Sequence, residues 1–331
     1  MSREQSAIIK GIAILLMFVC HISNIAGVGG LDNAFWNGFG EAAHCVNYFL
    51  LVSGYGLYLV YHKNRLSCQY LFKRTLRLYV SYWIVLLIFP VCLGALLYPG
   101  RFSYQVPDII SGFTSWRWHY SSFTWFLLPY VLMTTLAKPV FLMIDRLGSI
   151  LSLVLGTIVY IVTTFIISRY YLSWLRDHYL AYHVILMLQM LLGVIIGAVM
   201  ARLTLKGVSF LVPWLKGRNL LIFALIVAAF VLRGSIHFAA LNPFFATLVV
   251  WLVLHVEFHE VPRRFLIEMG DKSMLMWLAQ GFLGYRMFSE YIVLLPNPVM
   301  VLVVWVLVTY AVSLLLTPVA NRVSSVLRLT R

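Results

Sequence analysis

Charged residues are scarce in this chain, at 11%, where an ordinary soluble domain carries roughly 25%. Hydrophobic residues make up 62% and the mean hydropathy is +0.90. Together these values exclude a soluble fold, because so few polar groups could not cover an aqueous surface of this size. Negative charge is scarcer still, with 11 Asp and Glu against 25 Lys and Arg. Only four cysteines occur, Cys20, Cys45, Cys68 and Cys92. They lack metal-ligand spacing and form no pair that fits an oxidising compartment, so a reduced state and no metal site are expected. Internal repeats, low-complexity linkers and a sizeable soluble stretch are also missing. The expectation is a single membrane-embedded domain over residues 1–331.

What the chain has is apolar runs of membrane length. The first covers residues 8–26, and others follow as far as residue 317, whereas a secretory signal would be one short run before a polar chain. Candidate spans lie at 8–26, 45–61, 78–98, 124–144, 148–167, 182–201, 219–232, 240–256, 273–290 and 297–317. The seventh is short for a hydrocarbon core of about 30 Å. The preceding Val208 to Leu215 stretch, broken by Pro213, could lengthen it, re-enter the membrane or lie at the interface. The expected fold class is all-α, a polytopic helical bundle of about ten transmembrane helices, ten or eleven. With an even number of spans and the N-terminus inside, 19 of the 25 Lys and Arg fall on the inner side. That bias places both termini in the cytoplasm. The net charge of +14 then faces an anionic leaflet, and no nucleic-acid partner is needed to account for it.

His21 is the first residue that suggests chemistry, since an imidazole within a span costs free energy unless it lines a cavity or finds a partner. After ten intervening residues, Gly27, Gly29 and Gly30 among them, comes Asp32. A turn at the glycines could return that carboxylate to the ring, where it would hold the tautomer and stabilise the imidazolium of a general base. The alternative is a histidine bonded to a neighbouring polar group and a solvated aspartate. At the inner mouth of the third span, Arg74 and Arg77 lie three apart beside Lys73, one helical face able to clamp phosphate, although topology alone also favours basic residues there. Asn47, Ser53 and Tyr55 in the second span offer polar groups to the interior. Gly54 and Gly56 allow close approach of a helix or of an acyl thioester, with packing the simpler reading. On the outer side, Arg117, His119 and Trp125 could bind a sugar by hydrogen bonds and stacking, or could belong to an interfacial aromatic belt. Arg286 and Glu290, four apart, suit an intrahelical pair.

Several short motifs, in order over residues 8–317, resemble the membrane-bound acyltransferase 3 family of bacterial surface-glycan O-acyltransferases. Ile9-Lys10-Gly11-Ile12-Ala13-Ile14 followed by His21 is similar to the family's first helix, and the spacing of His21 and Asp32 matches its histidine, ten residues and acidic residue. Asn47-Tyr48-Phe49 through Ser53-Gly54-Tyr55, Arg74-Thr75-Leu76-Arg77, Trp125-Phe126-Leu127 and Met269-Gly270-Asp271 through Trp277-Leu278 resemble its later segments. Gln280 stands where the family usually has a histidine, and Lys10 where an arginine is common.

The resemblance implies an O-acyltransferase of the bacterial inner membrane. An acyl group, acetyl first, would pass from acetyl-CoA to a hydroxyl of a cell-surface glycan or its lipid-linked precursor, with no tightly bound cofactor. His21 and Asp32 would be catalytic, and Arg74, Arg77 and Lys73 would hold the CoA phosphates. Asn47, Ser53, Tyr55, Arg117, His119 and Trp125 would contact substrate. A proton-coupled transporter or flippase of a glycan intermediate is the rival reading. It would call for inverted repeats and matching broken spans. A non-catalytic scaffold is the third.

Overall fold

The computed structural model describes residues 1–22, 38–40, 42–292, 294–295 and 297–329. Asp32 lies outside them. The fold is all-helical, with no strand among the described residues. The helices are α1 (Arg3–Ile22), α2 (Val46–His62), α3 (Cys68–Leu86), α4 (Val106–Phe113), α5 (Leu127–Thr135), α6 (Ala137–Leu147), α7 (Ser149–Tyr170), α8 (Tyr179–Leu205), α9 (Asn219–Ser235), α10 (Asn242–Val253), α11 (Glu260–Gly281) and α12 (Pro298–Val326).

Local chemistry sets many of the boundaries. Ser67 caps α3 by accepting from the Tyr70 amide at 3.1 Å, and Asn297 caps α12 by accepting from the Met300 amide at 2.9 Å, with Pro298 in the first turn. Gly148, at φ +82°, separates α6 from α7. Beyond α3 the chain widens into a π-helix, Leu87–Leu93, around Pro90. A proline there lacks an N–H and its ring pushes against the preceding turn, which favours the wider coil.

Among the described residues, five helical segments qualify by length and apolarity as membrane spans: Arg3–Ile22, Cys68–Leu97, Ser149–Tyr170, Tyr179–Leu205 and Pro298–Val326. A sixth results if Ser122–Thr135 and Ala137–Leu147, bent by 55°, form one broken span. The expected count of ten is not reached on those criteria. Helix α2 has 17 residues and α9 has 17. The expected span 273–290 divides between the end of α11 and a π-helix, Phe282–Met287. Large apolar side chains nevertheless face outward on most long helices, among them Ile150 at 81%, Leu220 at 84% and Leu315 at 73% exposed. Water would disfavour such surfaces and hydrocarbon favours them, so the chain is a helical membrane protein.

The chain divides into two compact units. One contains residues 1–21, 42–66 and 132–271. Its centre is the packing of α2 on α8, made close by glycine. A Cβ on Gly54 would stand 2.2 Å from the Val194 carbonyl oxygen, and one on Gly197 would stand 2.0 Å from that of Leu51. Helices α1 and α11 cross in the same way, with Gly11 against Leu266 and Gly270 against Ala7. Such small-residue contacts let backbones approach in a membrane, where apolar side chains gain little from leaving lipid. At one end of this unit Asp145 of α6 accepts from Tyr58 at 2.6 Å and Tyr61 at 3.1 Å, and it pairs with Arg202 of α8 at 3.4 Å.

The other unit contains residues 67–131 and 272–329. Along α3, Tyr79, Tyr82 and Trp83 donate to the carbonyls of Thr114, Gly112 and Phe113 and so hold the end of α4. Phe89 of the π-helix stacks on Phe282 at 5.4 Å. Gly284 lies under the Trp305 indole, which donates to the Gln280 carbonyl at 3.2 Å.

Candidate functional site

The cationic turn of α3 is held by groups from elsewhere in its unit. Arg74 is half-buried, and its Nη2 donates to the Tyr130 hydroxyl at 2.7 Å. Tyr130 lies on α5, and its ring stacks on Phe126 at 5.2 Å. Phe126 in turn meets the Trp277 ring edge to face at 5.6 Å, and the Trp277 indole donates to the Phe123 carbonyl at 3.0 Å. The guanidinium is therefore held by a phenol whose own position is fixed by an aromatic train. Arg77, one turn on, donates to the Leu329 carbonyl. A neutral partner of that kind orients the fork without cancelling its charge, and the planar guanidinium geometry suits phosphate. Lys73, which precedes Arg74 in sequence, is half-buried.

In the first unit, His21 occupies the last turn of α1, where the carbonyl end of the helix favours positive charge. His44 and Cys45, which precede α2, lie within electrostatic range of His21 and Cys20 respectively. Its expected partner Asp32 is outside the described residues, so the pairing of the two has no geometry here.

The three candidates on α2 are all buried, Asn47 and Ser53 at 8% exposed and Tyr55 at 4%. Asn47 faces Gly193 of α8. The Tyr55 hydroxyl accepts from the Met1 ammonium at 2.7 Å. Tyr55 thus ties the start of α1 to α2, and Asn47 packs in the helix interface.

On the expected outer side of the second unit, Arg117 is exposed and Trp125 half-buried, with the Trp125 ring at 6.0 Å from Phe126. His119 is half-buried, its ring 4.2 Å from that of Tyr120. Burial pulls the His119 pKa below its ordinary value, so the ring is neutral at pH 7. The expected Arg286 and Glu290 pair does not form. Glu290 pairs with Arg101 at 3.2 Å. Arg286 donates to the His119 carbonyl at 2.7 Å and offers its own carbonyl to Arg101 at 2.5 Å. The reason is local: Arg286 belongs to the π-helix and Glu290 to the separate turn Ser289–Ile292, so the regular i,i+4 spacing is broken between them.

Sequence reading did not find Tyr130, Asp145 or Arg101. Tyr130 is 56 residues from Arg74, and no periodic signal links the two. Asp145 was legible only as an acidic residue at the end of an apolar segment. Among the described residues no group of three or more His, Cys, Asp or Glu forms a metal site.

An acyltransferase domain family, acyltransferase 3, matches residues 6–318. No curated protein and no solved structure matches the chain. The family match runs through α1, the cationic turn of α3, the Trp277 region and most of α12, and with nearly the whole chain covered, this protein belongs to the acyltransferase 3 family.

Proposed function

We propose that this acyltransferase moves an acyl group, acetyl first, from acyl-CoA to a hydroxyl of a bacterial cell-surface glycan or its lipid-linked precursor. The observation that supports it best is the fixed guanidinium of Arg74, held by Tyr130 at 2.7 Å on the same helical face as Arg77. Two forks and Lys73 suit the phosphates of a CoA donor. The donor is a substrate, and no tightly bound cofactor takes part. The charge bias of the loops favours cytoplasmic termini, and in the inner membrane that the family resemblance implies, this puts the turn of α3 on the side where acyl-CoA is made.

In this reading His21 removes the proton from the acceptor hydroxyl as the oxygen attacks the thioester carbonyl, and Asp32 orients the ring. The tetrahedral intermediate collapses with cleavage of the C–S bond, and the CoA thiolate takes the proton from the imidazolium. The products are the acyl ester and free CoA. Arg117, His119 and Trp125 are the side chains offered to the acceptor. Neutral His119 can accept or donate a hydrogen bond to a hydroxyl, and the Trp125 ring offers a face for a pyranose.

The test is transfer of label from acetyl-CoA to a membrane glycan extract by purified protein in nanodiscs. Wild type is compared with His21→Ala and with Arg74→Met, each checked for folding by its melting temperature. Label in glycan that disappears in His21→Ala, and a raised KM for acetyl-CoA in Arg74→Met, are the expected results. Absence of transfer by folded wild type across a range of glycans would overturn the reading in favour of transport. Equal transfer by His21→Ala would remove His21 from the chemistry.

A further inference from the structure

Between α8 and α9 the chain makes neither a span nor a disordered linker. Residues 206–218 are an extended and turning segment bounded by Gly207 at φ +82° and Gly217 at φ +75°. It is pinned from below. The Trp251 indole donates to the Phe210 carbonyl at 2.8 Å, and the Val212 amide donates to His255 Nε2 at 2.8 Å. The other ring nitrogen of His255 bonds the Trp251 carbonyl at 2.8 Å, so the imidazole is a fixed strut. Leu215, at 1% exposed, closes a small apolar cluster with Ile222 and Leu252.

Above this anchored base the segment displays what it does not bury. Val208 is 45%, Leu211 42% and Trp214 58% exposed. Lys206, Lys216 and Arg218 stand exposed beside them, with the Arg218 guanidinium 5.7 Å from the centre of the Trp214 ring. Glu257 is the facing carboxylate, 3.7 Å from Lys216 in a pair exposed on both sides, and it leaves the surface net positive. A mobile loop would fold its apolar side chains inward. A loop held by the hydrogen bonds at Phe210 and Val212 and by a buried leucine cannot, and a cationic rim around an apolar tip with an interfacial tryptophan matches the boundary between headgroups and acyl chains.

We propose that residues 206–218 form a binding site for anionic phospholipid, in which Lys206, Lys216 and Arg218 hold the headgroup phosphate while Val208, Leu211 and Trp214 enter the acyl region. Charge selects this occupant over a second copy of the chain, because a two-fold contact of this face with itself would oppose like charges. The inference rests on the membrane character of the chain and not on its acyl transfer.

The experiment uses the full chain in nanodiscs of phosphatidylcholine alone or doped with phosphatidylglycerol. Native mass spectrometry reads the lipid retained, and quenching by acyl-brominated lipid reads the depth of Trp214, taken as the difference between wild type and Trp214→Phe. Each cation near an anionic surface is worth about a fivefold preference, so the two outside the Glu257 pair give phosphatidylglycerol an advantage of about twenty-five-fold. Replacing Lys206, Lys216 and Arg218 together by Gln removes that advantage while the melting temperature in detergent stays within about 2 °C, since none of the three supports the buried base. Lys206→Arg, which keeps the charge, retains the advantage. Equal retention of both lipids by wild type, a preference that persists in the triple variant, or no quenching assigned to Trp214 would each overturn the proposal. So would disulfide cross-linking of two copies through Leu211→Cys.

Discussion

The neighbouring glycines Gly54 and Gly56 of α2 give a sharp comparison, because the structure assigns them opposite environments. A Cβ at Gly54 would lie 2.2 Å from the Val194 carbonyl oxygen, and one at Gly56 would meet nothing within 4 Å. Ordinary carbon to carbonyl oxygen contact is about 3.3 Å, so Gly54→Ala forces α2 and α8 apart by about 1 Å. A gap of that size forfeits a quarter to a half of each dispersion contact. Spread over two leucine-sized side chains, for which Leu50 and Leu51 at 1% exposed are the local examples, the loss is about 3 kcal/mol, the upper part of the usual range for overpacking. For a chain this long the melting temperature falls by about 6 °C. Gly56→Ala, in an exposed helical position, is neutral or stabilising by up to about 1 kcal/mol. Thermal unfolding of the purified proteins in one detergent, followed by tryptophan fluorescence, separates the two. A Gly54→Ala protein that melts with wild type would refute the seating of α2 on α8, as would an equal drop in both variants.

Under the proposed function, Arg74→Lys keeps the charge and loses the fork, so the KM for acetyl-CoA rises about tenfold with kcat little changed, whereas Tyr130→Phe, which removes one orienting bond worth about 1 kcal/mol, raises it about fivefold; steady-state kinetics at saturating acceptor distinguish them. Asp145→Asn weakens the bonds to Tyr58 and Tyr61 and the pair with Arg202, and it lowers stability by about 2 kcal/mol, read as a drop of about 4 °C in the same melting assay. Hydrogen bonds from Arg263 and Arg264 hold the Glu260 carboxyl below its ordinary value of 4.5. Its contribution is therefore complete above that value and is lost as pH falls through the lower folded value. The charges are exposed, so the effect is small and fades with salt; melting curves across acid pH should lose this step in Glu260→Gln.

Much of the architecture follows from composition and short-range order. The helix from Pro298 to Val326 starts at a proline-bearing cap and follows a mostly apolar run as far as Leu316, and no long-range contact is needed to specify that start and run. Likewise Ser67, Pro90 and Gly148 mark a helix start, a widened coil and a break through chemistry confined to their own neighbourhoods. The acyltransferase 3 family was legible for a related reason: its motifs are short and occur in order, and the match to residues 6–318 bears that out. The number of spans was less legible, since hydropathy does not distinguish a continuous helix from the π-helical and bent segments around Leu87, Phe282 and Leu136.

Partners across the fold were beyond the sequence. In a chain that is 62% hydrophobic, nearly every face of every helix is apolar, so periodicity cannot say which face meets a neighbour and which meets lipid. Gly54 and Gly56 are indistinguishable as letters, and only the crossing of α2 with α8 makes one indispensable to packing and the other free. The same uncertainty hid the bond of the Tyr55 hydroxyl to Met1, and paired Arg286 with Glu290 until Arg101 took the carboxylate. The residue types and their order along the chain fixed the helical membrane class and the cationic turn of α3, because both depend on neighbours in sequence. Tertiary structure alone chose Tyr130 to hold Arg74, because that bond joins residues 56 apart and exists only once the fold brings the two side chains together.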